Sequence, residues 1–374
     1  MRSVFHNGRV LIDAAFREGV AVVVEGGRIA SVAERRADGE RIDLDGDILA
    51  PGFIDTQVNG GGGVLFNDAP TVETIERIGT AHQRFGTTGF LPTLISDDLP
   101  VIARAIEAVD AAIERGVPGV LGIHIEGPFL NVERKGIHLA SKIRALDSAA
   151  IELLTGLKRG RTLITLAPER TSPDMIRVLT RRGAIVSAGH TNASYAEAKK
   201  AIEAGLTGAT HLFNAMSPLG NREPGMVGAV LDDERVTAGI IVDGRHVSPA
   251  TLRIALRARC PDAFMLVTDA MPTVGDGDDF ILQGKHIRVE NGVCVDDSGT
   301  LAGSDLDMGL AVRNAVELLG VTPEQALSMA SAVPARFLGL AESHGRIAPG
   351  AAASFVRLDS ELNLRGVWID GVAV

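Results

Sequence analysis

Two histidines and a glutamate, each closing an apolar run, are the residues of this sequence best suited to hold a hydrolytic metal ion. Glu126 ends Gly-Ile-His-Ile-Glu (122–126), His190 follows Ser-Ala-Gly (187–189), and His211 sits within Ala-Thr-His-Leu-Phe-Asn-Ala-Met (209–216). A fourth run, Phe-Met-Leu-Val-Thr-Asp (264–269), ends in the carboxylate Asp269. Two imidazoles and one carboxylate leave a coordination position open on zinc. A further carboxylate nearby can accept and return the protons of hydrolysis. Taken singly, a histidine at a strand end is as often structural as functional; the four residues together predict a metal site with its own proton carrier.

Other histidines divide by context. His124 lies two residues before Glu126, on the same side of a strand, and is read as a hydrogen-bonded core residue beneath the site. His246, in Asp243-Gly244-Arg245-His246, closes another run and is read as a donor to a developing oxyanion rather than as part of a plain turn. His6, His82, His286 and His344 have no such company and read as surface or packing residues.

The residues lie far apart, so the fold must gather them. Eight β-like runs are expected at 52–58, 89–95, 119–127, 163–168, 184–190, 208–213, 237–243 and 263–269. Helix signals separate most of them: Ser172-Pro173 and Ser248-Pro249 as caps followed by Pro at the first helical position, an apolar face over 100–115, a unit from Asn192 to Gly205, and Thr322-Pro323 opening a late helix. Strands alternating with helices over nearly 300 residues predict an α/β fold, a (β/α)8 TIM-like barrel, whose chemistry sits at the C-terminal ends of its strands. A doubly wound open sheet fits less well, because no Gly-rich dinucleotide turn follows the first strand. Both chain ends instead show short β pieces between turns. The expected division is a small β domain begun by 1–50, the catalytic barrel over 51–346, and the β domain, a sandwich, completed by 347–374.

Composition narrows the partners. With 47 acidic against 37 basic side chains the net charge is −10, which argues against nucleic acid or an anionic membrane. Neither a membrane-length apolar run nor a signal core is seen. Cys260 and Cys294 are the two cysteines, too few for a disulfide framework or a thiolate site. A cytoplasmic protein is expected.

The motifs themselves match a known pattern. Pro-Gly-Phe-Ile-Asp-Thr-Gln-Val-Asn-Gly (51–60), Leu-Pro-Thr-Leu (91–94), His-Ile-Glu-Gly-Pro-Phe-Leu (124–130), Lys-Gly-Ile-His (135–138), Leu-Ala-Pro-Glu (166–169) and Ser-Ala-Gly-His-Thr-Asn-Ala (187–193) occur in order. Thr-His-Leu-Phe-Asn-Ala-Met (210–216), Arg-Glu-Pro-Gly (222–225), Asp-Gly-Arg-His (243–246), Val-Thr-Asp-Ala (267–270) and Leu-Ala-Gly-Ser (301–304) follow. Through these the chain resembles the amidohydrolase superfamily and, within it, the family of N-acetylglucosamine-6-phosphate deacetylases.

That resemblance implies hydrolysis of the acetamide of N-acetyl-D-glucosamine 6-phosphate, in amino-sugar catabolism and cell-wall sugar recycling. It implies one divalent ion per subunit on Glu126, His190 and His211: zinc first, with iron, cobalt or manganese also accepted by such donors. Asp269 would be general base and then acid, and His246 would polarise the acetyl carbonyl. Asn214, the Ala215 backbone and Arg222 would take the sugar phosphate, and His138 the sugar. An arginine placed like Arg222 can reach the neighbouring subunit's site, which implies a homodimer. The charged loop from Asn131 to His138 could fold over the sugar.

Two departures from the superfamily pattern matter. Gln57 and Asn59 stand where most relatives carry His-x-His for a second metal, and a neutral amide is a poor zinc ligand, so one ion is expected. Ser354 replaces a common Asp, with no expected effect. Three alternatives compete: a cyclic amidase, which usually needs two metals and a bridging lysine that the run 163–168 lacks; a deacetylase of the galactosamine epimer; and a dead barrel kept as a scaffold, which would be expected to have lost some of the four residues.

Overall fold

In the computed structural model, residues 2–34 and 38–374 are described; Met1 and 35–37, part of the stretch expected to begin the small β domain, lie outside the description. Eight parallel strands form one sheet in sequence order: β1 (Phe53–Val58), β2 (Thr87–Ile95), β3 (Gly122–Glu126), β4 (Arg161–Leu166), β5 (Ile185–Ala188), β6 (Gly208–Ala209), β7 (Thr237–Ile240) and β8 (Phe264–Leu266). Each falls within or across one of the expected runs. The ring closes just past β8, where the Asp269 N–H donates to the Gln57 carbonyl at 3.0 Å and Val58 bridges Ala270 in parallel. This is the TIM-type barrel that the alternating runs predict.

Helices cover the outside for reasons readable in the chain. Leu99–Glu114 starts with Pro in its first turn and buries Ile102, Ala105, Ile106, Val109 and Ala112 along one stripe. Burying an isoleucine of this kind contributes roughly 1.5–3 kcal/mol. Ser172 caps Pro173–Arg181 by accepting from the Met175 N–H, and Thr322 with Gln325 makes a capping box on Pro323–Ala330. Ser194 and Glu197 make another on Tyr195–Glu203. Those caps fix where each helix begins, and so where the loop above each strand must end.

The chain ends pair across the sequence. One sheet joins Arg28–Glu34, Val20–Glu25, Arg2–His6 and Glu40–Asp43; a second joins Val372–Ala373, Leu364–Ile369, Phe355–Leu358, Ile48–Pro51, Arg9–Ile12 and Ala15–Arg17. A cluster including Phe5, Val22, Val24, Leu49 and Phe355 is buried between them. Phe5 meets Phe355 and Trp368 edge-on at 5.4 and 5.1 Å, a preferred aromatic arrangement. The expected small sandwich of both termini is therefore present.

One feature lies outside the expected set. Asp279–Leu282, Lys285–Glu290, Val293–Asp296 and Leu301–Ser304 form an antiparallel four-stranded sheet inserted after β8. Its turns carry left-handed backbone at Gln283-Gly284 and Asn291-Gly292, the pattern of tight hairpins. At its end, Gly303 lies so close to the Asp269 carbonyl and Met271 that an added Cβ would come within 2.8 and 2.7 Å of them. Only a glycine there lets the sheet return to the mouth of the barrel.

Candidate active site

At the C-terminal ends of the strands lies a cavity of about 380 Å³. Glu126, His138, His190, His211, Asn214, Ala215, His246 and Asp269, all singled out from sequence, line it. Arg222 does not line it; its side chain is exposed. Asn59, Glu133, Arg134, Thr300, Leu301 and Gly303 also face the space, and Arg134 brings the one arginine or lysine among these lining residues.

The centre is tight. Glu126 Oε1 lies 3.1 Å from His190 Nε2 and 3.0 Å from His211 Nε2, and the two nitrogens are 3.2 Å apart. All three side chains are nearly inaccessible. The far nitrogen of His190, Nδ1, donates to the Arg134 carbonyl at 2.9 Å. Since a carbonyl only accepts, the proton is assigned to Nδ1, and Nε2 turns a lone pair toward Glu126. Three electron-rich atoms this close need a shared cation, either a proton or a metal ion. Burial alone would raise the Glu126 carboxyl, yet its contacts with His190 and His211 hold it well below the usual carboxylate range. Burial likewise opposes charge on His211, but the hydrogen bond and charge of Glu126 outweigh it and raise the imidazole. The donor set, two borderline nitrogens and a carboxylate, fits a divalent transition metal.

His138 also approaches: it offers an atom within 4.8 Å of ligand atoms on Glu126 and His190, and its ring stands edge-on to His190 at 4.4 Å. Its Nδ1 faces the Ser96 hydroxyl at 2.7 Å and accepts from the Ser96 backbone N–H at 3.4 Å. That backbone donor favours a proton on Nε2, which makes His138 a hydrogen-bond donor into the cavity rather than a ligand. Burial pushes it down to about 3, so the ring is neutral. His138 can therefore reach Glu126 and His190, but Glu126, His190 and His211 meet more closely, at 3.0–3.2 Å, with atoms free to share a cation.

The backbone is left-handed at all three strand ends that matter. His190 has φ 48°, His211 φ 35° and Asp269 φ 53°, a region that costs a non-glycine residue of order 1 kcal/mol or more. Anchors hold these turns. The Asn131 N–H donates to the His190 carbonyl at 2.9 Å and Thr191 N–H to the Ala215 carbonyl at 3.0 Å. Glu169, from the loop after β4, accepts from Asn131 Nδ2 at 2.8 Å and from the Asn192 N–H at 2.6 Å. The loops above β3, β4 and β5 are thereby tied to one another around His190.

Asp269 stands apart from the cluster. Its Oδ1 accepts from Asn59 Nδ2 at 2.7 Å and Gln57 Nε2 at 3.0 Å. Burial, then the Glu126 charge, pushes its carboxyl up to about 6. His246 Nδ1 lies 2.6 Å from Asp243 Oδ2, and that carboxylate also accepts the His246 N–H at 2.9 Å, so its Nε2 is the ring nitrogen left for the cavity.

Below lies a polar layer inside the barrel. His124 Nε2 meets the Thr165 hydroxyl at 2.7 Å, Thr165 meets Thr210 at 2.6 Å, and Thr210 meets Ser187 at 2.7 Å. Burial pushes His124 down to about 4, as a neutral core histidine requires. His82, fully buried against the Gly60 carbonyl, is likewise a packing residue.

Asp55 on β1 yields a prediction. It is fully buried, and burial, opposed by its bonds from Thr268 and the Gln57 N–H, pushes it up to about 7. A folded-state value above the unfolded one means the acid's stabilising contribution is complete below about pH 4 and lost as pH rises through 7. Asp55→Asn keeps an oxygen for both backbone donors and cannot ionise. Its melting temperature should gain on the parent between pH 5 and 8, by the equivalent of about 2–3 kcal/mol; a pH-independent difference would discard this reading.

Comparison with known proteins agrees with the geometry. The amidohydrolase family model matches residues 48–374. An N-acetylgalactosamine-6-phosphate deacetylase from Shewanella sp. (strain ANA-3) is 44% identical over 97% of this chain and 93% of its own. The N-acetylglucosamine-6-phosphate deacetylase of Homo sapiens is 40% identical over 94% and 90%. The crystal structure of N-acetylglucosamine-6-phosphate deacetylase from Pasteurella multocida superposes with TM-score 0.96 at 36% identity, covering all of both chains. A barrel whose strand ends gather these residues, a profile match from residue 48 to the end and full-length relatives all point one way: this chain belongs to the amidohydrolase family.

Proposed function

We propose that the protein removes the acetyl group from an N-acetylated hexosamine 6-phosphate, N-acetyl-D-glucosamine 6-phosphate first, giving the amino sugar phosphate and acetate. The observation that carries this is the meeting of Glu126, His190 and His211 within 3.2 Å, with Asp269 as a separate acid on the same cavity. One divalent ion per chain, zinc by donor preference, would be held by those three; when bound it supplies an activated water and polarises the acetyl carbonyl.

The chain's own groups do the rest. Asp269 takes a proton from the attacking water and returns it to the sugar nitrogen, so the C–N bond breaks with a neutral amine leaving. His246, steadied by Asp243, donates to the acetyl oxygen when its Nε2 carries a proton. His138 offers its N–H to a sugar hydroxyl. Asn214 and the Ala215 backbone, which line the same cavity, would take the sugar phosphate.

Arg222, exposed and off its own cavity, is taken to complete the site of a second subunit in a homodimer. Arg222→Ala should raise KM for the phosphorylated sugar roughly 10-fold or more, the worth of a charge-assisted hydrogen bond, and leave the unphosphorylated sugar unchanged. Equal effects on both would discard the anchor. Among the described residues no helix is long and apolar enough to cross a membrane; free Cys260 and Cys294 suit a cytoplasmic place for the enzyme in amino-sugar catabolism and cell-wall sugar recycling.

A second reading, the galactosamine epimer as preferred substrate, is favoured by the identity to the Shewanella relative. Acetate release from both epimers, with and without a chelator, tests both: the ratio of kcat/KM selects the epimer. Release that survives full metal removal, or none from either sugar, overturns the proposal.

A further inference from the structure

We propose that Gln57 and Asn59 are positioning residues for Asp269: their side-chain amides fix which carboxylate oxygen carries the proton. The inference rests on the proton-carrier role given to Asp269 above. Both residues lie on or directly after β1, two apart and so on one side of the strand, and both are about 1–2% exposed.

Their geometry is specific. Asn59 Nδ2 donates to Asp269 Oδ1 at 2.7 Å, and Gln57 Nε2 donates to the same oxygen at 3.0 Å. Gln57 Nε2 also reaches Glu126 Oε2 at 3.2 Å. Because ionised carboxylate oxygens only accept, each amide must turn its nitrogen toward them, which settles the flip of both side chains. Among the described residues Asp269 Oδ2 has no hydrogen-bond partner, so one oxygen is doubly held and the other is left for chemistry. Main-chain bonds lock the same place: the Asp269 N–H to the Gln57 carbonyl at 3.0 Å and the Asn59 N–H to the Ala270 carbonyl at 2.9 Å.

A neutral NH₂ group thus spans two carboxylates, Glu126 and Asp269. It holds their separation without neutralising either, which a cation in that position would do. The amides that fail as metal ligands acquire a different use: they stop rotation of the Asp269 carboxylate and place the retained charge on Oδ1. Losing 1 Å or so of alignment at a reacting group can cost about 100-fold in rate.

The test is a double-mutant cycle on purified, metal-loaded protein. Gln57→Met removes the donor at similar length. It should lower kcat roughly 10–100-fold, with KM within about threefold, one metal ion per chain by elemental analysis, and an unchanged melting temperature. In an Asp269→Asn background the same substitution should cost nothing further, since the group it positions has lost its proton chemistry. An unchanged kcat, a loss of metal parallel to the loss of rate, or an equal loss in the Asp269→Asn background would each overturn the proposal. If Gln57→Met does not fold, Asn59→Ala, which deletes one donor, repeats the cycle with an expected fall of roughly 3–10-fold. Should Asp269→Asn alone retain full turnover, the reading of Asp269 fails instead, and the two failures are told apart.

Discussion

Asp269→Asn should lose at least ~1,000-fold in kcat, within the span a positioned acid–base group supplies, while retaining its metal ion and its fold. The geometry explains why the variant is a clean probe. Asn59 and Gln57 both donate to Oδ1, so an asparagine can keep its carbonyl oxygen on those donors. Its NH₂ then falls where Oδ2 stood. Shape and hydrogen bonding survive; the capacity to take up and give back a proton does not. Turnover measured beside metal content decides the matter, and near-wild-type kcat would remove Asp269 from the reaction.

Glu126→Gln is expected to be equally severe for another reason. Both imidazole nitrogens converge on Glu126 Oε1, and its charge is the one anionic ligand of the set. A neutral amide there leaves two imidazoles alone to hold a divalent ion, and turnover should drop below ~0.1% of wild type, since an unactivated water has a pKa near 16 rather than about 7. Bound metal after dialysis should fall from about one ion per chain toward none. If the variant kept a full complement of metal, the ligand assignment would be wrong, and His138, which lies within reach, would be the first residue to examine.

How far the residues alone carried the reading differs by region. Barrel strands were legible because each is a short apolar run ending in a polar side chain, and because Ser172-Pro173 or Thr322-Pro323 mark the helices between. Glu126, His190, His211 and Asp269 were legible as one group because each stands at or near the C-terminal end of such a run. The inserted sheet of 279–304 was missed although Gln283-Gly284, Asn291-Gly292 and Ser298-Gly299 are hairpin signals; with eight strands already counted, nothing marked these short, half-exposed runs as part of the site. Leu301 and Gly303 therefore entered only through the likeness of Leu-Ala-Gly-Ser. Gln57 and Asn59 were legible only as poor zinc ligands. Their bonds to Asp269 depend on β1 and β8 becoming neighbours, a contact between positions 210 and 212 apart that no local pattern encodes.

The shared sheet of the two termini bears on how the protein is made. Ile48–Pro51 pairs with Phe355–Leu358, and Arg357 bonds Asp47 across 310 positions. At roughly 5–20 residues per second, a ribosome needs about 15–60 s to deliver those partners. Throughout that interval the leading strands hold an open edge and an uncovered Phe5, which is when a nascent chain is most prone to stick to its neighbours. Truncating the last twenty residues removes the partners of Ile48–Pro51 and Phe5, so the open edge should persist and soluble yield in the cell should fall.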